Sequence, residues 1–248
     1  MDPSSRRRRW PRWLAGLVAL LVAGVQVIAY VWQPPAVRGY RSPYLSRVHS
    51  LYADTSVARF HYTRTGRGAP VVLIAGGAQW QYSYRDAIPA LARNHTVYAV
   101  DLPSQGSTRA ARNFTYTIPA MAEAIRAFLD AMGLTKASLV GHSWGDAWTL
   151  SFAERHPERV DKLVLLDSPG LNKELASQTA VFGVPVVGEA VVKLMRRADF
   201  ETSLRSAFAH QERVAAEVVD ENWAWMSRLE QREAFVKLVC SQDYAPAA

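Results

Sequence analysis

Short unbroken apolar blocks alternate with helical stretches along most of this chain. Residues 71–75 (VVLIA), 96–100 (TVYAV), 137–140 (ASLV) and 163–166 (LVLL) are blocks of strand length. Such runs are the mark of strands covered on both faces of a sheet. Residues 58–63 (ARFHYT) alternate and predict a further strand, with Gly66-Arg67-Gly68 as the turn after it. A helical stretch is expected from Gly76-Gly77 to about residue 93. Ile118, Met121, Ala122, Ile125, Phe128, Leu129 and Met132 recur at helical spacing and predict an amphipathic helix over 119–132, stopped by Gly133. Another helix is predicted over 144–155, ended by the His156-Pro157 step. Strands alternating with helices in this way imply an α/β fold with a mostly parallel sheet and helices on both faces. Beyond Gly170 the pattern changes to helices rich in Ala, Val, Arg and Glu, with no further buried strand.

The N-terminus carries a different pattern. Residues 13–32 (WLAGLVALLVAGVQVIAYVW) hold no charge and one amide, Gln26, and Pro34-Pro35 follow. A helix of roughly 20 apolar residues spans the hydrocarbon core of a membrane. Arg6 to Arg9 and Arg12 precede the run, and Trp13, Tyr30 and Trp32 flank it. Basic residues favour the cytoplasmic side, and aromatic rings favour the interface. The expectation is a retained signal anchor with the N-terminus cytoplasmic and the domain outside. A cleaved signal, whose apolar region is usually about 7–15 residues, is the alternative and would release a secreted domain. A buried core helix is the third reading, and the flanking arginines and tryptophans disfavour it.

Charge then sharpens the picture. The 248 residues carry a formal net charge of +7, yet residues 1–50 hold eight arginines against Asp2, so the rest of the chain is neutral. A nucleic-acid binder would carry its excess on the folded domain, so no nucleic-acid partner is expected. One cysteine, Cys240, excludes an internal disulfide and a cysteine-based metal cluster. No metal and no cofactor are expected. The organisation read from these patterns is a basic arm over 1–12, a transmembrane helix over 13–32, a linker over 33–57, a core over 58–170 and a helical segment over 171–248.

The chemistry lies in Gly141-His142-Ser143-Trp144-Gly145, between a strand and a helix. A turn this tight strains the serine backbone, and the positions two before and two after it must be small. Ser143 is thereby exposed over a helix N-terminus, where developing negative charge is favoured. The expected role is that of a nucleophile.

From about residue 58 to 170 the chain resembles the α/β-hydrolase superfamily, in its serine esterase, lipase and peptidase-like branches. The resemblance rests on 71–78 (VVLIAGGA), 101–107 (DLPSQGS), 139–145 (LVGHSWG) and 154–167 (ERHPERVDKLVLLD). It implies Ser143 as nucleophile and the backbone N–H groups of Gly77 and Trp144 as the oxyanion hole. It also implies a helical lid after the sixth strand. Serine at 143, where the dehalogenase and epoxide-hydrolase branches have aspartate, argues against those branches. His142 is expected to pack into the fold, and Asp101 to serve its turn.

A serine of this kind needs a histidine base and an orienting carboxylate, following it in the chain. Only His156 and His210 follow Ser143. His156 ends the helix behind the turn, and His210 lies in the lid-like helices. Asp167 occupies a position some relatives use for the acid, or it caps the next turn. The strands that would bear the acid and the histidine in this family do not appear before Ala248, so the expectation is a C-terminally truncated hydrolase with its last strands missing. The expected substrate is a small ester or amide. Phe200, Phe208, Trp223, Trp225 and Met226 suggest an apolar substrate group, or else they pack the lid. A non-catalytic, membrane-tethered binding protein and a swinging His210 base are the alternatives.

Overall fold

The computed structural model describes residues 12–35, 37–168 and 180–242. Its centre is a sheet of β1 (Leu51–Asp54), β2 (Ala58–Thr65), β3 (Ala69–Ile74), β4 (His95–Asp101), β5 (Arg109–Ala110), β6 (Ala137–His142) and β7 (Val160–Leu166). The spatial order is β1-β2-β4-β3-β6-β7, with β5 beside β2. β4, β3, β6 and β7 run parallel. β2 is antiparallel to β1, β4 and β5. The helices are α1 (Arg12–Gln26), α2 (Ile88–Leu91), α3 (Ile118–Ala131), α4 (Trp144–Arg155), α5 (Val187–Leu194), α6 (Arg197–Ser206), α7 (Ala216–Met226) and α8 (Leu229–Ser241), of which α2, α3 and α4 pack on the sheet.

The apolar blocks are continuous because each strand buries both faces. Val72, Ile74, Tyr98 and Val100 meet Phe128 of α3 and Phe152 of α4 on one side. Val71, Leu73, Val97 and Ala99 meet Tyr84 and the α2 residues Ile88 and Leu91 on the other. β7 departs from this rule. Val164, Leu165 and Leu166 are 43%, 39% and 41% exposed, and among the described residues no strand pairs the outer side of β7.

Two expectations change, and one open alternative is decided. The predicted continuous span over 13–32 is a 15-residue α-helix that rewinds into a π-helical turn, Val27–Val31, directly after Gln26. No helix among the described residues is long and apolar enough to cross a membrane. The rewound turn packs against α5 and buries Ala29, whereas Trp13, Leu20 and Val31 stay exposed. The segment expected as a linker, 33–57, instead contributes β1 and docks on α7. There Ser42 Oγ and the Tyr44 N–H donate to Glu221 Oε1 at 2.8 and 2.9 Å. The lid aromatics mostly pack: Phe200 lies against Trp223, and Trp225 against Trp80, while Phe208 is exposed. The basic arm over 1–11 and the start of the lid-like segment over 171–179 lie outside the described residues.

Candidate active site

The register of the parallel strands gathers the candidate residues at one edge. Ile74 is level with Gly141, and His142 with Leu166, so the loops after β3, β6 and β7 emerge together. Ligands of open parallel sheets bind at this carboxyl edge. Ser143 joins β6 to α4 with φ 52° and ψ −123°. A non-glycine residue held there costs of order 1–3 kcal/mol and persists only where its surroundings enforce it. The Ser143 N–H donates to Leu166 O at 2.9 Å, and the Asp146 N–H donates to Ser143 O at 2.9 Å.

The two glycines of the turn are required by contact. A Cβ on Gly141 would lie 2.6 Å from Thr149 Oγ1 and 2.7 Å from Asp146 Oδ1. One on Gly145 would lie 2.6 Å from Ile74 O. The loop after β3 approaches as closely, because Gly76 borders Ser143 Cβ and Gly77 lies on the Trp144 indole. That indole is buried, with its other neighbour the Phe235 ring of α8, stacked at 6.1 Å.

Gln105 sets the orientation of this loop, and the sequence pattern did not single it out. Its Nε2 donates to both Ala75 O and Gly76 O at 2.8 Å, and its Oε1 accepts from the Leu102 N–H. In a trans peptide the N–H points opposite to the C=O, so the Gly77 N–H faces away from Gln105. Trp144 is the first residue of α4, where backbone N–H groups lack intrahelical partners. Among the described residues neither the Gly77 nor the Trp144 N–H has a backbone acceptor.

Asp146 is the second residue the pattern missed. It lies in the first turn of α4, fully buried. Its Oδ1 accepts the Leu166 N–H at 3.1 Å, and its Oδ2 has no partner. Burial pushes the carboxyl up to about 6, the Leu166 N–H opposes the shift, and the nearby Asp167 charge adds to it. Asp167 ends β7 in the left-handed region, φ 59°, and is exposed. His142 is half-buried with Nδ1 unpartnered. Burial holds its pKa below the usual value, against the pull of Asp167.

The histidines that follow Ser143 lie elsewhere. His156 Nε2 meets Glu123 Oε1 of α3 at 3.1 Å, a full α4 length from Ser143, roughly 18 Å for 12 residues. His210 is exposed and pairs with Glu212 at 3.3 Å. A third histidine completes a different chain. His61 Nδ1 meets Asp101 Oδ2 at 2.7 Å, and His61 Nε2 meets Ser50 Oγ at 3.0 Å. The order copies a serine–histidine–aspartate relay, but His61 is 0% exposed and cannot hand a proton to a substrate. The chain ties β2 to β4 instead. Asp101 Oδ1 also accepts the Gln81 N–H at 2.8 Å. No group of residues able to hold a metal ion occurs among the described residues.

The chain is similar to known proteins in sequence and fold. The family model described as alpha/beta hydrolase fold matches residues 69–210. The chain is 36% identical over 116 residues to a soluble epoxide hydrolase of Corynebacterium sp. (strain C12), covering 46% of this chain and 40% of that protein. It is 34% identical over 145 residues to 2-hydroxy-6-oxo-2,4-heptadienoate hydrolase of Pseudomonas putida, covering 57% of this chain and 52% of that one. The crystal structure of Cfl2 from Burkholderia cenocepacia superposes with a TM-score of 0.71 at 25% identity, covering 77% of this chain and 70% of that one. This chain spans about half the length of the curated relatives it matches.

Proposed function

Because the chain belongs to the α/β-hydrolase fold family, we propose that it is a hydrolase of small molecules that works by acyl transfer, with Ser143 as nucleophile. The observation that carries this reading is the strained Ser143 backbone between two glycines that admit no side chain. Ser143 Oγ attacks the carbonyl carbon of an ester or amide, and the oxyanion rests on the N–H groups of Gly77 and Trp144. Each such donor is worth roughly 3–4 kcal/mol in comparable sites. Relatives named epoxide hydrolase and haloalkane dehalogenase enlarge the set of reactions to weigh. A serine hydroxyl at the elbow favours acyl chemistry, since its acyl-enzyme is released by water as an ordinary ester. Asp167 is the acid of this reading, and neither His156 nor His210, which pair with Glu123 and Glu212, is held at Ser143 as its base.

Labelling by a fluorophosphonate, which needs a nucleophilic serine, tests the proposal. Labelling that disappears in Ser143→Ala supports it. An unlabelled protein that still unfolds cooperatively overturns it in favour of a non-catalytic binding protein of the same fold.

The reading extends to a membrane tether formed by residues 13–32, with the domain on the extracytoplasmic side. Its support is an uncharged, helically wound segment after five arginines, and its alternative is secretion after cleavage. Full-length protein that leaves membranes in alkaline carbonate would refute the tether.

A further inference from the structure

A cavity of about 700 Å³, whose lining does not include Ser143, lies between the β1–β2–β5 corner and the start of α8. Its wall carries Arg59, Arg109 and Arg228 against one acid, Glu230. Among the described residues Arg59 has a partner, Asp54 at 3.6 Å, while neither Arg109 nor Arg228 makes an ion pair. The Arg228 guanidinium lies over the Trp225 ring at 4.0 Å, which fixes its plane and leaves its donors free. Burial and the neighbouring Arg109 charge both lower the Arg228 pKa, against the pull of Glu230. Two arginines that make no ion pair, with Glu230 as the one acid of the wall, carry a charge excess that a bound anion offsets.

A hydroxyl donor in the wall points the same way. Ser104 Oγ is buried without a partner, on a residue held at φ 77°. Gln231 is held in the wall by its Nε2, which bonds Gly106 O at 3.1 Å. Arg228 is the N-cap of the 13-residue helix α8, so the positive end of that helix faces the same space. Tyr52, Tyr116, Ala110 and Ala234 supply apolar wall.

We propose that this cavity is a binding site for an organic anion, a carboxylate or phosphate group on an aromatic or apolar body. Arg109 and Arg228 hold the charged head, and Tyr52 and Tyr116 cover the body. A guanidinium fork matches either oxyanion in a bidentate manner. The volume lies in the range of small-molecule sites, roughly 300–1,000 Å³. A narrow cleft shares Ser104, Gly106 and Gln231 with this cavity and is also lined by Ala78 of the loop after β3. The proposal does not require Ser143 to be active.

The test is calorimetric titration of the full chain with benzoate, with phenyl phosphate, and with benzyl alcohol as the uncharged body. Binding of either anion is expected, weakened at least tenfold in Arg228→Gln and in Arg109→Gln, with benzyl alcohol at least tenfold weaker. The melting temperatures of the unliganded variants check that the fold is kept. Arg205→Gln, whose partner Glu201 lies on α6 away from the cavity, is expected to bind like the parent. Anion binding unchanged in both Arg109→Gln and Arg228→Gln overturns the proposal, as does benzyl alcohol binding as tightly as benzoate.

Discussion

Asp146→Asn isolates a buried carboxylate beneath the nucleophile turn, and its effect is a function of pH. The carboxyl has no exposure and accepts one hydrogen bond, from the Leu166 N–H. Its pKa rises from the usual 3.8 to about 6, chiefly through burial. For an acid whose folded pKa is raised, the native state binds the extra proton between those two values. Stability therefore falls as pH climbs through that window, by up to about 1.4 kcal/mol per pH unit from this group. Burying this carboxyl lowers stability by about 3 kcal/mol at pH 8, where it is ionised in both states, and by about 1 kcal/mol near pH 4.5, where the folded group is protonated. Asparagine keeps the acceptor for Leu166 and removes the charge. Its amide leaves one buried donor unpartnered, at about 1–3 kcal/mol, and that cost is the same at both pH values.

The difference between the two pH values is therefore the clean quantity. Urea unfolding of parent and variant at pH 8 and near pH 4.5 is expected to give stability differences that shift by about 2 kcal/mol in favour of asparagine at the higher pH. Slopes with urea should match between the two proteins, since both expose the same surface on unfolding. A shift below about 0.5 kcal/mol would refute the reasoning, because Asp146 would then titrate as an ordinary exposed carboxylate.

Other perturbations probe other parts of the same edge. Ser143→Gly removes the β-carbon that makes φ 52° costly, so it should melt roughly 2–4 °C above Ser143→Ala for about 1 kcal/mol of relieved strain; equal melting temperatures would mean that the turn stores no strain. His61→Ala leaves the Asp101 carboxylate buried without its imidazole partner, so unfolding free energy should drop by about 3–5 kcal/mol. Lost fluorophosphonate labelling at undiminished stability would instead give His61 a catalytic role. Leu165→Lys places a charge on the open side of β7, where the leucine is 39% exposed, so light scattering should show less self-association with stability within about 0.5 kcal/mol of the parent; unchanged scattering would mean that this edge does not drive association.

What the sequence made legible follows the range of the interactions involved. The helix after Ser143 was read to its last residue, 144–155, because its limits are local: a glycine-flanked turn before it and His156-Pro157 after it. The buried strands were legible because both of their faces are apolar. β1 and β5, four and two residues long at the margin of the sheet, carry no such run. β1 buries only Ala53, and its existence depends on pairing with β2. Gln105 and Asp146 were hidden for the same reason. One reaches Ala75 and Gly76 about thirty positions back, and the other reaches Leu166 twenty positions on. Nothing in the local pattern distinguishes either from an ordinary polar residue. The N-terminal segment was legible as an apolar helix, but hydropathy alone carries no trace of the rewinding after Gln26 that docks Ala29 on α5.

The same distinction divides the candidate site into two physically separable halves. The proposed nucleophile and oxyanion donors are positioned by the backbone, through Gly141, Gly145, Gln105 and the Leu166 hydrogen bonds, all among the described residues. Such a half lowers the barrier by electrostatic preorganisation without a histidine, and comparable sites stripped of their triad still act above the water rate. A base contributes only if brought within about 3 Å of the serine hydroxyl, and neither His156 nor His210 is held there. Labelling and turnover therefore report on different halves. Because fluorophosphonate attack itself draws on a base, the first half alone predicts slow labelling whose rate follows hydroxide concentration. A complete site predicts fast labelling that levels off above the pKa of its imidazole. The pH profile of labelling, measured in the parent and lost in Ser143→Ala, thus tells whether a base acts at Ser143.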